Sequence, residues 1–311
     1  MRGYITDSTA NGGLRLATDL PEPTAQGSEL LVGVRAFGVN RGELSLLRER
    51  VDGWRPGQDL SGVVIAAAAD GSGPAVGTRV VGVVDAAAWS ERVALPTAWA
   101  AAIPDEVSFE QAASLPVAGL TAYRALLNGR SVLGRNVLVL GATGGVGQFA
   151  VQLAVASGAR VTAQVSSPER ADEVRRLGAS QVTVDLSEDG LGPFQLICAG
   201  VVGDTLTAAV RKMAPGGMAI VYGAVGGEAK LGPAEWLGAP NARIMGIIGS
   251  QPEDERGVDL GVLASLIADG RLDPVLGEVR DWQEAQAVLD GLRQRNIRGK
   301  AVLTIPVQVR A

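Results

Sequence analysis

The sequence predicts an α/β chain in which a doubly wound parallel sheet is inserted into a β-rich domain. Three observations carry this fold class. Residues 1 to about 115 hold short apolar runs separated by turn signals, and from Pro116 onward helix and strand patterns alternate. Between a strand and a helix lies a glycine-dense turn, Gly141-Ala142-Thr143-Gly144-Gly145-Val146-Gly147.

Each element has a local reason. Leu30 to Val34, Gly62 to Ile65 and Val80 to Val84 are strand-like runs, set apart by Asn11-Gly12-Gly13, Pro21-Glu22-Pro23 and Asp70-Gly71-Ser72-Gly73-Pro74. Val117 to Leu127 reads as a helix. Asn136 to Leu140 is a continuous apolar run, as a strand buried on both faces requires. A helix from Gly147 to Ser157 places Phe149, Ala150, Leu153 and Ala154 on one face and stops at Gly158. Strand 161–165 leads to a helix from Pro168 to Leu177, with Ser167 as its N-cap, Pro168 at the first position and Gly178 as its stop. Strands at 181–184, 194–198 and 218–222 surround a helix at 204–212, and such alternation implies a parallel sheet with right-handed crossovers. After Gln251 come helices at 258–268 and 282–292 and a strand at 301–305, whose return to the first domain divides the chain into 1–117 with 252–311, and 118–251.

The glycine turn carries the chemistry. A buried strand turning tightly into a helix aims free backbone N–H groups and a positive dipole end at one spot, which suits a diphosphate. The pattern Ala142-x-Gly144-x-x-Gly147 is the dinucleotide fingerprint with alanine at its first position, so Ala142, Thr143, Gly144, Gly145 and Val146 are cofactor candidates. The strand 161–165 ends in Ser166-Ser167, where an NAD site places a carboxylate on the ribose 2′-hydroxyl. Hydroxyls at Ser166 and Ser167, with Arg170 nearby, suit a 2′-phosphate and favour NADPH, although the same residues also serve as a helix cap and a solvated charge.

Composition narrows the remaining choices. A chain of 311 residues, 47% of them hydrophobic, is long enough for two folded domains. The net charge of −5 and the lack of a basic run argue against a nucleic-acid or anionic-membrane partner. Neither a signal-peptide apolar region nor a spanning apolar stretch is visible, which reads as a cytoplasmic protein. Three lysines against many arginines, with abundant Ala, Gly and Val, reflect a GC-rich, bacterial coding sequence. There is no histidine and Cys198 is the single cysteine, so no Cys/His zinc site can be assembled. Histidine general bases and Ser-His-Asp triads are excluded by the same inventory.

Several further segments fall in a specific order: Gly38-Val39-Asn40, Pro56-Gly57-Gln58-Asp59-Leu60-Ser61-Gly62, Ala88-Trp89-Ser90-Glu91, Ala112-Ala113-Ser114-Leu115-Pro116, Ala214-Pro215-Gly216-Gly217 and Gly299-Lys300-Ala301-Val302-Leu303. In this the chain resembles, over nearly its whole length, the zinc-independent quinone oxidoreductases and enoyl reductases of the medium-chain dehydrogenase/reductase superfamily. The resemblance implies a Rossmann doubly wound sheet inserted in a β-rich GroES-like catalytic domain, an active cleft between the two, NADPH as cofactor, no metal, and a homodimer. An apolar strand at 243–248 is the expected dimer edge. The resemblance further implies that Asn40 hydrogen-bonds a substrate oxygen, that Thr121 and Lys300 lie beside the cofactor, and that Gly223-Ala224-Val225 and Ile248-Gly249-Ser250 approach it by backbone. Where relatives often place a tyrosine after the asparagine, this chain has Ser45, Val51 and Trp54. Ser45 is therefore the second catalytic candidate, with Trp54 and Tyr222 as substrate-binding candidates that also fit ordinary core packing.

These residues leave three functions open. The first is NADPH-dependent hydride transfer to a quinone or an α,β-unsaturated carbonyl. The others are a non-redox cyclisation, elimination or isomerisation on the same scaffold, and a non-catalytic NADPH-binding or sensing protein.

Overall fold

In a computed structural model the chain forms two units, Met1–Leu120 with Gln251–Ala311, and Thr121–Ser250. The structure describes residues 1–247 and 256–306.

The first unit is built on a seven-stranded sheet. Its order runs Leu276–Asp281, Lys300–Thr304, Glu29–Val39, Asp59–Ala66, Arg79–Val83, Ala100–Ala102, with Arg92–Pro96 also paired to Glu29–Val39. Neighbours are antiparallel except Leu276–Asp281 beside Lys300–Thr304. The long central strand explains much of the packing. Leu30, Val32, Val34 and Ala36 alternate inward with a period of two, and from Ala36 to Val39 every residue is buried. The core gathers Leu30, Phe37, Leu60, Trp89, Leu95, Trp282 and Leu303. Phe37 stacks on Trp89 at 5.7 Å, and the Trp89 indole donates to the Gly38 carbonyl oxygen (3.3 Å), fixing the backbone just before Asn40.

The second unit is a six-stranded, wholly parallel sheet. Its order is Gln181–Thr183, Arg160–Gln164, Asn136–Leu140, Phe194–Val201, Met213–Val225, Arg243–Gly246. Numbered within the sheet this is 3-2-1-4-5-6, so the order reverses at Asn136–Leu140, the switch point where open α/β sheets bind ligands. Val137 to Leu140 are wholly buried, as their unbroken apolar run requires. Leu138, Leu140, Phe194, Ile197, Leu206 and Ala219 form the core.

Tertiary pairing shifts several element boundaries. The helix after the glycine turn begins at Gly145, because Gly144 takes extended backbone and becomes the N-cap. The segment expected as one helix from Pro168 splits into a 3-10 turn, Pro168–Arg170, and a helix, Ala171–Arg176. Gly223, Ala224 and Val225, expected just beyond a strand, belong to the strand itself, because Met213–Val225 stays paired with its neighbour as far as Val201 opposite Val225. Among the described residues no helix is long and apolar enough to cross a membrane.

Candidate functional site

The glycine turn sits at the C-terminal end of Asn136–Leu140 and is held from below. The backbone N–H of Gly141 donates to Gln164 Oε1 (3.1 Å) and that of Ala142 to the Gln164 carbonyl (3.0 Å), so the second strand clamps the start of the turn. Gly141 lies at φ +70°, in the left-handed region that favours glycine. A Cβ at Gly147 would strike the Gly141 carbonyl oxygen and lie 2.8 Å from Ala142 Cα, so only glycine lets this helix close onto the strand end. Gly144 is exposed, Gly145 and Val146 half-buried, and Ala142 and Thr143 buried. The helix Gly145–Ala156 carries no acidic residue in its first turn, leaving its positive end for an anion.

Residues at the end of the second strand complete this edge. Ser166 is exposed and Ser167 half-buried. Ser167 occupies the N-cap position but makes no cap bond; its hydroxyl bonds the Glu169 carboxylate instead and lowers that group's pKa. An Arg170 guanidinium nitrogen donates to Thr143 Oγ1 (3.1 Å), which joins the helix turn to the glycine turn. The turn and the positive helix end fit the diphosphate of NADPH, and exposed Ser166 stands where a carboxylate would repel a 2′-phosphate, while the Ser167 hydroxyl is engaged by Glu169 and an Arg170 nitrogen by Thr143.

A second polar cluster lies inside the first unit. Asn40 follows the central strand Glu29–Val39, whose neighbours on either side are Lys300–Thr304 and Asp59–Ala66. The register Ala301 opposite Val39 brings Lys300 next to Asn40. Lys300 Nζ donates to Asn40 Oδ1 (2.6 Å) and Asp59 Oδ2 (3.1 Å), while Asn40 Nδ2 donates to the same Asp59 oxygen (2.9 Å). The other Asp59 oxygen accepts from the Val117 backbone N–H (2.9 Å). Asp59 is wholly buried and Lys300 is 2% exposed. Gly38 makes room for them, because a Cβ there would sit 2.5 Å from Asp59 Oδ2 and 2.6 Å from the Ala113 carbonyl.

Glu43 closes the cluster from the backbone side. Its carboxyl accepts from the N–H groups of Asn40 (2.7 Å) and Gln58 (3.2 Å), reaching back over the turn that precedes its helix. Burial, and then the negative charge of Asp59, raise its pKa to about 8 against the pull of those bonds and of Lys300. A folded chain that keeps this proton, when the unfolded chain has released it above 4.5, loses stability as pH rises from 4.5 to about 8. Glu43→Gln is expected to flatten that fall, read as melting temperature against pH.

The other candidates fall in varied surroundings. Ser45, half-buried on the helix Glu43–Glu49, has the Arg48 guanidinium 3.4 Å from its hydroxyl. Trp54 packs partly buried against the core of the first unit, with the Arg50 guanidinium 5.5 Å from its ring centre. Thr121 is buried on the helix Pro116–Asn128. Gly223 and Val225 are half-buried and Ala224 exposed. The Tyr222 hydroxyl is buried with no hydrogen-bond partner among the described residues, and burial, with Cys198 adding to it, raises its pKa well above the ordinary value. Burial pushes the Cys198 thiol up to about 12, consistent with an inert strand residue. Ile248, Gly249 and Ser250 lie outside the described residues. Among the described residues no group of three or more His, Cys, Asp or Glu is arranged to hold a metal.

Asp59 and Glu43 were not candidates from sequence. A signal pointed to Asp59 and none to Glu43: charges of opposite sign, Asp59 and Lys300, open two mostly apolar strands, and such charges inside a core must be paired.

Residues 145–264 match the family described as Zinc-binding dehydrogenase. The chain is 27% identical over 316 residues to a quinone oxidoreductase of Rattus norvegicus, covering 94% of each chain. It is 33% identical over 306 residues to a spectinabilin polyketide synthase protein of Streptomyces orinoci; the match covers 91% of the chain but spans only 13% of that relative's length. The structure of the mycobacterial protein Rv1454c, complexed with NADPH, superposes with a TM-score of 0.85 at 27% identity, covering 98% of this chain and 100% of that one. The chain thus belongs to the medium-chain dehydrogenase/reductase superfamily and is similar to its quinone oxidoreductase and enoyl reductase-like members.

Proposed function

We propose that this chain is a zinc-independent, NADPH-dependent oxidoreductase that transfers hydride to a quinone or an α,β-unsaturated carbonyl. The observation that carries the reading is the Gly141–Gly147 turn at the sheet's switch point, with Ser166 in place of a carboxylate. NADPH supplies the hydride when bound, chemistry that no side chain here provides. The turn and the positive helix end hold the diphosphate; Ser166, Ser167 and Arg170 take the 2′-phosphate. Asn40 donates a hydrogen bond to the acceptor's oxygen as negative charge gathers there. With no histidine in the chain, and with the Tyr222 hydroxyl buried and hard to ionise, the proton that completes the reduction comes from the Ser45 hydroxyl or a water that it holds.

The relative complexed with NADPH and those named quinone oxidoreductases support this reading. Its test is a titration of NADPH fluorescence followed by a panel of benzoquinones and enones, with NADPH oxidation monitored by absorbance. Saturable binding and turnover with at least one acceptor are expected. No NADPH binding would overturn the reading; product without NADPH oxidation would establish a non-redox reaction, and binding without turnover a sensing role. Ser166→Asp places a carboxylate against the 2′-phosphate and is expected to raise the KM for NADPH by about tenfold or more, with that for NADH little changed. The edge strand Arg243–Gly246 is the proposed contact of a cytoplasmic homodimer, which sedimentation at two concentrations tests directly.

A further inference from the structure

The cluster beneath Asn40 fixes more than its position. A side-chain amide can sit in two orientations that exchange its oxygen and nitrogen. Here one neighbour, the Lys300 ammonium, can only donate, and the other, the Asp59 carboxylate, can only accept. Flipping the amide would set NH2 against NH3⁺ and an oxygen against a carboxylate, losing the 2.6 Å and 2.9 Å bonds together. Orientation is therefore decided by chemistry. Of the two Nδ2 hydrogens, one is bound to Asp59 and the other has no partner among the described residues, on a side chain that is only half-buried. The Asn40 backbone is pinned independently through Glu43.

We infer that Asp59 and Lys300 are positioning residues that lock the Asn40 amide in one orientation and present its single spare N–H as a fixed donor to the acceptor's oxygen. Three features of the cluster fit this role better than stability alone. An ion pair buried this deeply contributes little net stability compared with apolar residues of the same volume. Both of its charged groups converge on one neutral side chain, and the ammonium polarises the amide from its oxygen end, which strengthens the N–H as a donor. Such a preorganised donor, already paired on its other atoms, does not need to reorient as charge develops.

The inference rests on the oxidoreductase reading, so the experiment has one arm that does not. In the first arm, the Asn40 side-chain amide is identified in nitrogen–proton NMR spectra of the cofactor-free protein by its loss in Asn40→Ala. Its two protons are expected to differ, one exchanging slowly with water and the other fast. In Asp59→Asn/Lys300→Met, which removes both charges together and leaves neither buried alone, the two are expected to become alike. Equivalent amide protons in the unaltered protein would overturn the proposal.

The second arm measures single-turnover NADPH oxidation by an enone for Asn40→Ala, for Asp59→Asn/Lys300→Met and for the triple variant. Each of the first two is expected to lose about a hundredfold in rate, with NADPH affinity kept within about twofold, and the triple variant to be no slower than Asn40→Ala. Losses that multiply in the triple variant, or a loss that lies in NADPH affinity, would mean that the pair does not act through Asn40. An unaltered protein that reduces no acceptor would refute the oxidoreductase reading, while the spectra would still decide the orientation of Asn40.

Discussion

Gly147→Val is expected to abolish NADPH binding and to destabilise the second unit. The added Cβ would collide with the Gly141 carbonyl oxygen and would lie 2.8 Å and 2.9 Å from two backbone atoms of Ala142. None of these is the end of a flexible side chain. The turn they belong to is clamped by Gln164 through two hydrogen bonds, so it cannot retreat without breaking them. Overpacking of this kind typically costs about 1–3 kcal/mol with side chains as neighbours, and backbone neighbours place this site at or above the upper end. Gly144→Ala is the graded comparison, because its Cβ would meet the same oxygen at 3.2 Å and needs only a small adjustment. Fluorescence titration with NADPH and urea unfolding read the two effects. Binding by Gly147→Val at ordinary affinity would refute the close approach of helix and strand.

Lys300→Met alone is expected to destabilise the chain by about 3–5 kcal/mol, the usual cost of leaving one partner of a buried ion pair uncompensated. Asp59 would keep its bonds from Val117 and Asn40 but lose the only cation among the described residues within hydrogen-bonding reach of it, in a position wholly shielded from water. Asp59→Asn/Lys300→Met should recover most of the loss, since no lone charge remains. Denaturant unfolding of the two variants checks this, and equal stability of the single and double variants would contradict it. A surface lysine replaced by methionine would change stability little, so the experiment also tests the burial itself.

Much of the second unit was legible in its residues. Asn136 to Leu140 could only be a strand buried on both faces, and glycines at 144 and 147 could only serve a backbone that comes close to something. Local chemistry of this kind is written in consecutive residues. The extension of Met213–Val225 through Gly223 was not legible, because glycine reads as a strand end until a neighbouring strand is present to pair with it. Ser167 likewise had the residue type and spacing of a cap, yet a nearby glutamate took its hydroxyl.

The site in the first unit divides in the same way. Sequence by itself determined the inventory: no histidine, a single cysteine, a dinucleotide turn without a carboxylate at Ser166, and an asparagine at the end of an apolar run. It also placed Lys300 at the head of a strand, where resemblance suggested a cofactor contact. Only the tertiary structure decided that the ammonium turns inward to Asn40 and Asp59. The reason is topological: a strand near the C-terminus pairs beside the central strand, and a third pairs on its other side, so charges 241 residues apart meet beneath one amide. Nothing local to any of the three segments encodes that meeting, because it depends on the order of strands in the sheet and on Gly38 leaving space between them.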